Sequence, residues 1–242
     1  MAGHELTGML RRVATSARLQ RLTERRLAAH VAVGERTARL IEQSAGLPQG
    51  SIRTIHHGVD PVPAVSADRP GEPTILNVAR HDPVKGVDLL LEAVALLDRP
   101  VKVVLVGEGA ETQALVAQAR RLGIADRVDF RGPAWGGTAA AGIMGSFDLF
   151  VLPSRLEGFP VTVVEAMLAE VPVVATDVGS VREQLIDGET GWIVAPEDPP
   201  GLAAAIGEAL DDPAEAGRRA LAGHEFALAR FTLTATIDAW VG

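Results

Sequence analysis

The chain has 242 residues, 47% of them hydrophobic and 4% aromatic, with a formal net charge of −8. That length holds one large domain or one and a half ordinary ones, and the aliphatic content is enough for a full core. There is no cysteine, which excludes a disulfide framework, thiolate metal sites and cysteine nucleophiles.

The charge is uneven: residues 1–60 carry nine arginines against five acids, and the rest of the chain is strongly acidic. An acidic body makes a poor surface for nucleic acid, so no nucleic-acid partner is expected. No apolar run reaches the ~20 residues of a membrane-spanning helix. The first residues lack the apolar stretch of a signal peptide, and a cytoplasmic location is the expectation. Arg11, Arg12, Arg18, Arg21, Arg25 and Arg26 predict a solvated or interface-facing helix over 9–30. A transit peptide or a helix resting peripherally on a membrane is the lesser alternative.

A short strand follows over 30–34, a helix over 35–45 and a strand over 52–56. His57-Gly58-Val59-Asp60-Pro61 is a turn cluster, and residues 61–73 read as a linker rich in Pro, Ala, Asp and Gly. A regular alternation then begins. Strands are predicted over 75–79, 101–106, 128–131, 147–152, 172–176 and 192–194. Helices are predicted over 87–97, 111–122, 138–146, from about Pro160, and over 181–186, 202–210, 214–229 and 233–240. Gly123 is the stop of the helix before it. Continuous Val, Ile and Leu strands between amphipathic helices predict an α/β fold, a doubly wound parallel sheet covered on both faces. Ligands of such sheets bind beyond the C-terminal strand ends.

Polar turns stand at those ends. Arg80-His81-Asp82-Pro83-Val84-Lys85-Gly86 places a lysine at the opening of a helix, and its two cations suit a diphosphate. The alternative is a pair of solvated loop cations with Asp82 in a salt bridge; His81 reads as isolated among cations. Gly107-Glu108-Gly109 is a tight turn near the ligand. Thr112 stands where a dinucleotide fingerprint needs its third glycine, so that reading is rejected. In Pro153-Ser154-Arg155-Leu156-Glu157-Gly158-Phe159-Pro160-Val161 a strand leads into a helix start, whose free N–H groups suit phosphate. Glu157 precedes that start and Glu165 lies about two turns into the helix. Both carboxylates suit sugar hydroxyls; the plain alternative is a dipole-favoured Glu157 and a surface Glu165. Asp177 and Ser180 read as N-caps. The histidines form no ligand cluster, so no bound metal is predicted.

These pieces in this order resemble the C-terminal, donor-binding half of GT-B-fold retaining glycosyltransferases, family 4 (glycosyl transferases group 1). The resemblance covers residues from about 28 to 240. It implies a Rossmann-like nucleotide-sugar domain over 74–230, with a C-terminal helix over 231–242. Residues 1–60 would be a partial remnant of an acceptor-side domain, most of which is expected to be absent. It implies that Arg80 and Lys85 bind the diphosphate, that Glu157 approaches the donor sugar and that Glu165 holds the ribose hydroxyls. Gly158, Phe159, Pro160 and Val161 would form the phosphate-binding helix start. Arg131 and Gly132 would end the strand that leads to the loop for the nucleotide base, and Gly107 would also contribute to nucleotide-sugar binding. The implied reaction is metal-independent, retaining hexosyl transfer from a nucleoside-diphosphate sugar to an acceptor that the sequence does not identify. The alternative is an inactive nucleotide-sugar-binding module. Self-association, or a partner domain over residues 1–56, is a further expectation.

Overall fold

The computed structural model describes residues 30–61, 71–133 and 143–241. The predicted N-terminal helix lies almost wholly outside them, as do most of the linker and most of the helix over 138–146. The surface expected to take a partner over 1–56 is therefore described only in part. The chain divides after His56 into two compact units.

In the first unit, strands β1 (Val31–Ala32) and β2 (Arg53–Thr54) pair in parallel, with α1 (Glu35–Ala45) between them in sequence. Gly46 closes that helix in the left-handed region at φ 67°, the usual glycine C-terminus. Buried Glu42 accepts from the Ile52 backbone N–H at 3.0 Å and from Arg39 at 3.1 Å. The Ile52 bond is the main cause that holds its carboxyl below the usual range. This acid is a structural anchor, tying the helix to the turn before β2.

The second unit is built on six parallel strands: β3 (Thr74–Val78), β4 (Lys102–Val106), β5 (Val128–Arg131), β6 (Leu149–Leu152), β7 (Val173–Thr176) and β8 (Trp192–Val194). Their spatial order is β5-β4-β3-β6-β7-β8. Helices α2 (Val87–Leu96), α3 (Thr112–Arg121), α4 (Val161–Leu168), α5 (Val181–Gln184), α6 (Pro199–Asp211), α7 (Pro213–Arg230) and α8 (Leu233–Val241) alternate with or follow them. Every residue of β6 and β7 is buried, as a sheet covered on both faces requires. Edge strand β5 alternates between half-buried and exposed positions. Ile75, Leu90, Leu91, Val103, Leu105, Val151 and Ile206 form the fully buried centre of the core.

The predicted doubly wound fold is therefore observed. From β3 the chain builds outward through β4 and β5, then returns to lay β6 on the other side of β3. That reversal leaves a crevice beyond the C-terminal ends of β3 and β6, the place where such sheets take ligands.

Two local expectations are corrected. Lys85 does not open a helix: it ends a 3₁₀ turn (Pro83–Lys85), and Gly86 at φ 64° separates that turn from α2. A Cβ on Gly86 would lie 2.0 Å from the Pro153 carbonyl oxygen, so only glycine lets these two loops touch. Ser180 precedes α5 but makes no side-chain cap, and its hydroxyl is buried without a partner among the described residues. The Asp177 carboxylate accepts from Arg182 at 2.7 Å.

Candidate functional site

The loops after β3 and β6 meet through their side chains. The Lys85 ammonium donates to both carboxylate oxygens of Glu157, at 2.8 and 3.0 Å. The two side chains are 23% and 8% exposed, respectively. The buried Ser154 hydroxyl donates to the same carboxylate at 2.7 Å, and the Ser154 carbonyl accepts from Thr176 at 2.6 Å. Sequence reasoning placed Lys85 and Glu157 in one site but not in contact.

Arg155 fastens the same two loops. Its guanidinium donates to both oxygens of Asp88 at 2.7 Å, to the Pro83 carbonyl at 2.8 Å and to Glu197 at 2.6 Å. Its backbone N–H donates to the Val84 carbonyl at 2.8 Å. The Asp88 bond is the largest cause that raises the guanidinium pKa above its already high ordinary value. No sequence signal singled out Arg155, because its partners lie at a distance along the chain.

Beside this clamp lies a cavity of about 290 Å³, whose lining includes Arg80, Lys85, Glu157, Phe159, Pro160 and Val161. Pro160 stands at the N-cap of α4, so Val161 and Thr162, the first two helical residues, whose N–H groups have no acceptor further back in the helix, border the cavity. Arg80 is 77% exposed and pairs with Asp82 at 2.8 Å, the solvated arrangement foreseen as its alternative. The Phe159 ring is mostly buried and packs edge-on to Phe231 and His57, at 5.5 and 5.9 Å. It anchors the loop from below. The Gly158 carbonyl accepts from the Ser180 N–H at 3.0 Å, which braces the helix start from the β7 side.

Glu165 does not line this cavity. It lies four residues beyond Val161, on the same face of α4, half-buried rather than at the surface. No hydrogen bond or ion pair joins its carboxylate to another described residue, and burial pushes its pKa up.

Gly107, Arg131 and Gly132 lie on the β4–β5 side and are not among the residues that line the cavity. Gly107 adopts φ 140°, and a Cβ there would lie 1.9 Å from the Ala79 carbonyl oxygen. Its N–H donates to the Arg131 carbonyl at 3.1 Å. The Arg131 side chain pairs with Asp129 at 2.8 Å, and no atom of a described residue lies within 4 Å of where a Cβ on Gly132 would stand.

His81 is not set among cations. It is buried, with Nδ1 2.9 Å from the Thr112 hydroxyl and its ring edge-on to Phe130. Its N–H donates to the Glu108 carbonyl and its carbonyl accepts from the Glu111 N–H, each at 3.0 Å. Burial lowers its pKa, against an opposing pull from Glu108. This histidine stitches the loop after β3 to the loop after β4.

A larger cavity, of about 590 Å³, lies between the end of α2 and α6, near the N-terminal ends of β3 and β4. Arg99 and Asp211 there are paired with each other. The smaller cavity is the stronger candidate, since it alone joins the sheet reversal, a helix start and an ion pair. Among the described residues no group of three His, Asp or Glu gathers that could hold a metal ion. No described helix is long and apolar enough to cross a membrane.

The family model described as Glycosyl transferases group 1 matches residues 61–223. A glycogen synthase of Mycobacterium tuberculosis is 35% identical over 180 residues, covering 72% of this chain and 43% of that protein. A D-inositol 3-phosphate glycosyltransferase of Streptomyces avermitilis is 35% identical over 201 residues, covering 73% and 43%. The chain thus spans less than half the length of these relatives. The crystal structure of HepE from Anabaena, in complex with UDP and glucose, superposes with a TM-score of 0.84 at 24% identity, covering 94% of this chain and 66% of that one.

Proposed function

Because this chain belongs to the glycosyl transferases group 1 family, we propose that its second unit binds a nucleoside-diphosphate sugar and forms the donor half of a retaining hexosyltransferase. The observation that carries this reading is the Lys85–Glu157 contact at the sheet reversal, beside the start of α4. A cation, a carboxylate and a helix N-terminus in one crevice match the three parts of a sugar diphosphate.

Lys85 and Arg80 offset the charge of the diphosphate, and the α4 N-terminus takes phosphate oxygens. Glu157 accepts from hydroxyls of the transferred sugar. Glu165, unpaired and half-buried, accepts from the ribose hydroxyls. Gly107, Arg131 and Gly132 lie toward the base. The anomeric carbon–oxygen bond to the diphosphate breaks as the acceptor oxygen bonds to the same face of that carbon. The acceptor's proton passes to the departing phosphate oxygen. The chain's part is stabilisation of the leaving diphosphate. Two cations and a helix dipole supply that charge, so the reading asks for no metal.

Calorimetric titration with UDP, GDP and ADP tests this proposal, followed by assays of hydrolysis and transfer with the matching sugar nucleotides. Binding with turnover is the expected result. Binding without turnover assigns the chain to the alternative, a nucleotide-sugar-binding module. A folded chain that binds none of the three overturns both.

A further inference from the structure

We infer that the Lys85–Glu157 ion pair makes recognition of the sugar and of the diphosphate interdependent, so that the site distinguishes a whole sugar nucleotide from the free nucleoside diphosphate. The inference rests on the donor reading above. Glu157 is 8% exposed. Its Oε1 accepts from Lys85 and from the Ser154 hydroxyl, whereas its Oε2 accepts from Lys85 at 3.0 Å. A diphosphate that draws the ammonium toward itself strips Oε2 of that partner. A nearly buried carboxylate left in that state costs more than the pair contributed, because its hydration was already lost.

The transferred sugar repairs the loss. A hydroxyl donating to Oε2 replaces the ammonium, and the carboxylate stays satisfied. The nucleoside diphosphate left after transfer has no such hydroxyl, so it competes with Glu157 for Lys85. The loops cannot part to escape this contest. Arg155 ties them through Asp88 and the Pro83 carbonyl, and Gly86 abuts Pro153. The site therefore favours the loaded donor and disfavours its own by-product.

Glu157→Gln keeps the size and removes the charge. Calorimetry on the full chain compares UDP with UDP-glucose and GDP with GDP-mannose. The variant is expected to bind the free diphosphate about tenfold more tightly than the wild type, equivalent to ~1.4 kcal/mol, and the sugar nucleotide no more tightly. Equal changes for both, or weaker binding of the diphosphate, overturn the inference. A ligand-free reading stands beside it, because the chain has two lysines, Lys85 and Lys102. Under trace acetic anhydride labelling read by mass spectrometry, Lys102, 61% exposed, is the internal reference. Glu157→Gln should raise the Lys85-to-Lys102 labelling ratio; an unchanged ratio shows no pair in solution and overturns the inference. A raised ratio in a folded wild-type chain and variant that bind neither nucleotide places the failure in the donor reading, and the inference falls with it.

Discussion

Arg155 holds both carboxylate oxygens of Asp88 at 2.7 Å, joining the loop that carries Glu157 to the first turn of the helix just after Lys85. The two residues act as one connector, and paired groups show non-additive losses. Arg155→Ala and Asp88→Asn should each weaken nucleotide binding about tenfold, and the double substitution should be no worse than either. Glu197→Gln should change affinity by no more than about twofold, because Glu197 is 58% exposed and exposed pairs contribute ~0–1 kcal/mol. Additive losses in the calorimetric cycle would show two separate roles.

Gly86 and Gly123 separate backbone strain from collision. Both have positive φ, 64° and 73°, but a Cβ meets the Pro153 carbonyl at 2.0 Å in the first and nothing within 4 Å in the second. Gly123→Ala should cost ~1 kcal/mol, the strain alone. Gly86→Ala should cost ~3 kcal/mol, strain plus forced movement of backbone. Urea denaturation of the two variants checks the difference, and equal costs would mean the loops shift freely.

Glu165 is kept at a cost to the fold. Burial raises its pKa above the ordinary 4.5, so the folded state disfavours the carboxylate. Below about pH 4.5 the acid is neutral in both states and there is no penalty. The penalty grows as the pH rises from there toward the elevated folded value and is complete above it. Glu165→Gln should raise the melting temperature by a few degrees at pH 7, with the gain fading toward pH 4. The same variant should bind nucleotide about tenfold less well. A melting temperature unchanged at pH 7 would show that the carboxylate is adequately solvated.

His81 predicts the opposite pH trend. Its pKa lies below the ordinary 6.5 because burial disfavours the imidazolium. Its contribution is complete above that value and is lost as the pH falls through the folded one. Stability measured by denaturant melts from pH 8 to pH 5 should decline less steeply in His81→Asn, which cannot titrate, than in the wild type. Parallel slopes would remove His81 as the source.

Much of this fold can be read from local pattern. The strands Val128–Arg131 and Trp192–Val194 fall where the apolar runs put them, and α1 spans the predicted residues. The strand expected over 147–152 begins later, at Leu149, because the Asp148 carboxylate accepts from both the N–H and the hydroxyl of Thr74. A run of hydrophobicity does not reveal where a side chain takes over a strand's hydrogen bonds. The motif around Glu157 and Glu165 was legible since its residues are neighbours in sequence. The Lys85–Glu157 pair and the Arg155 connector were not, because both join residues that only the sheet reversal brings together. His81 was misread for a related reason. Its sequence neighbours are charged, whereas its spatial neighbours are Thr112 and Phe130.

Lys85 and Glu157 lie 72 residues apart, on loops that follow the two strands flanking the sheet's central seam. A ligand spanning them binds only when β3 and β6 are already zipped. Its binding energy therefore opposes separation of that seam, not merely motion of the loops. Amide exchange should slow together along Thr74–Val78 and Leu149–Leu152 when nucleotide is added, deep in the sheet and away from the ligand itself. The crevice thus makes occupancy a brace for the middle of the domain.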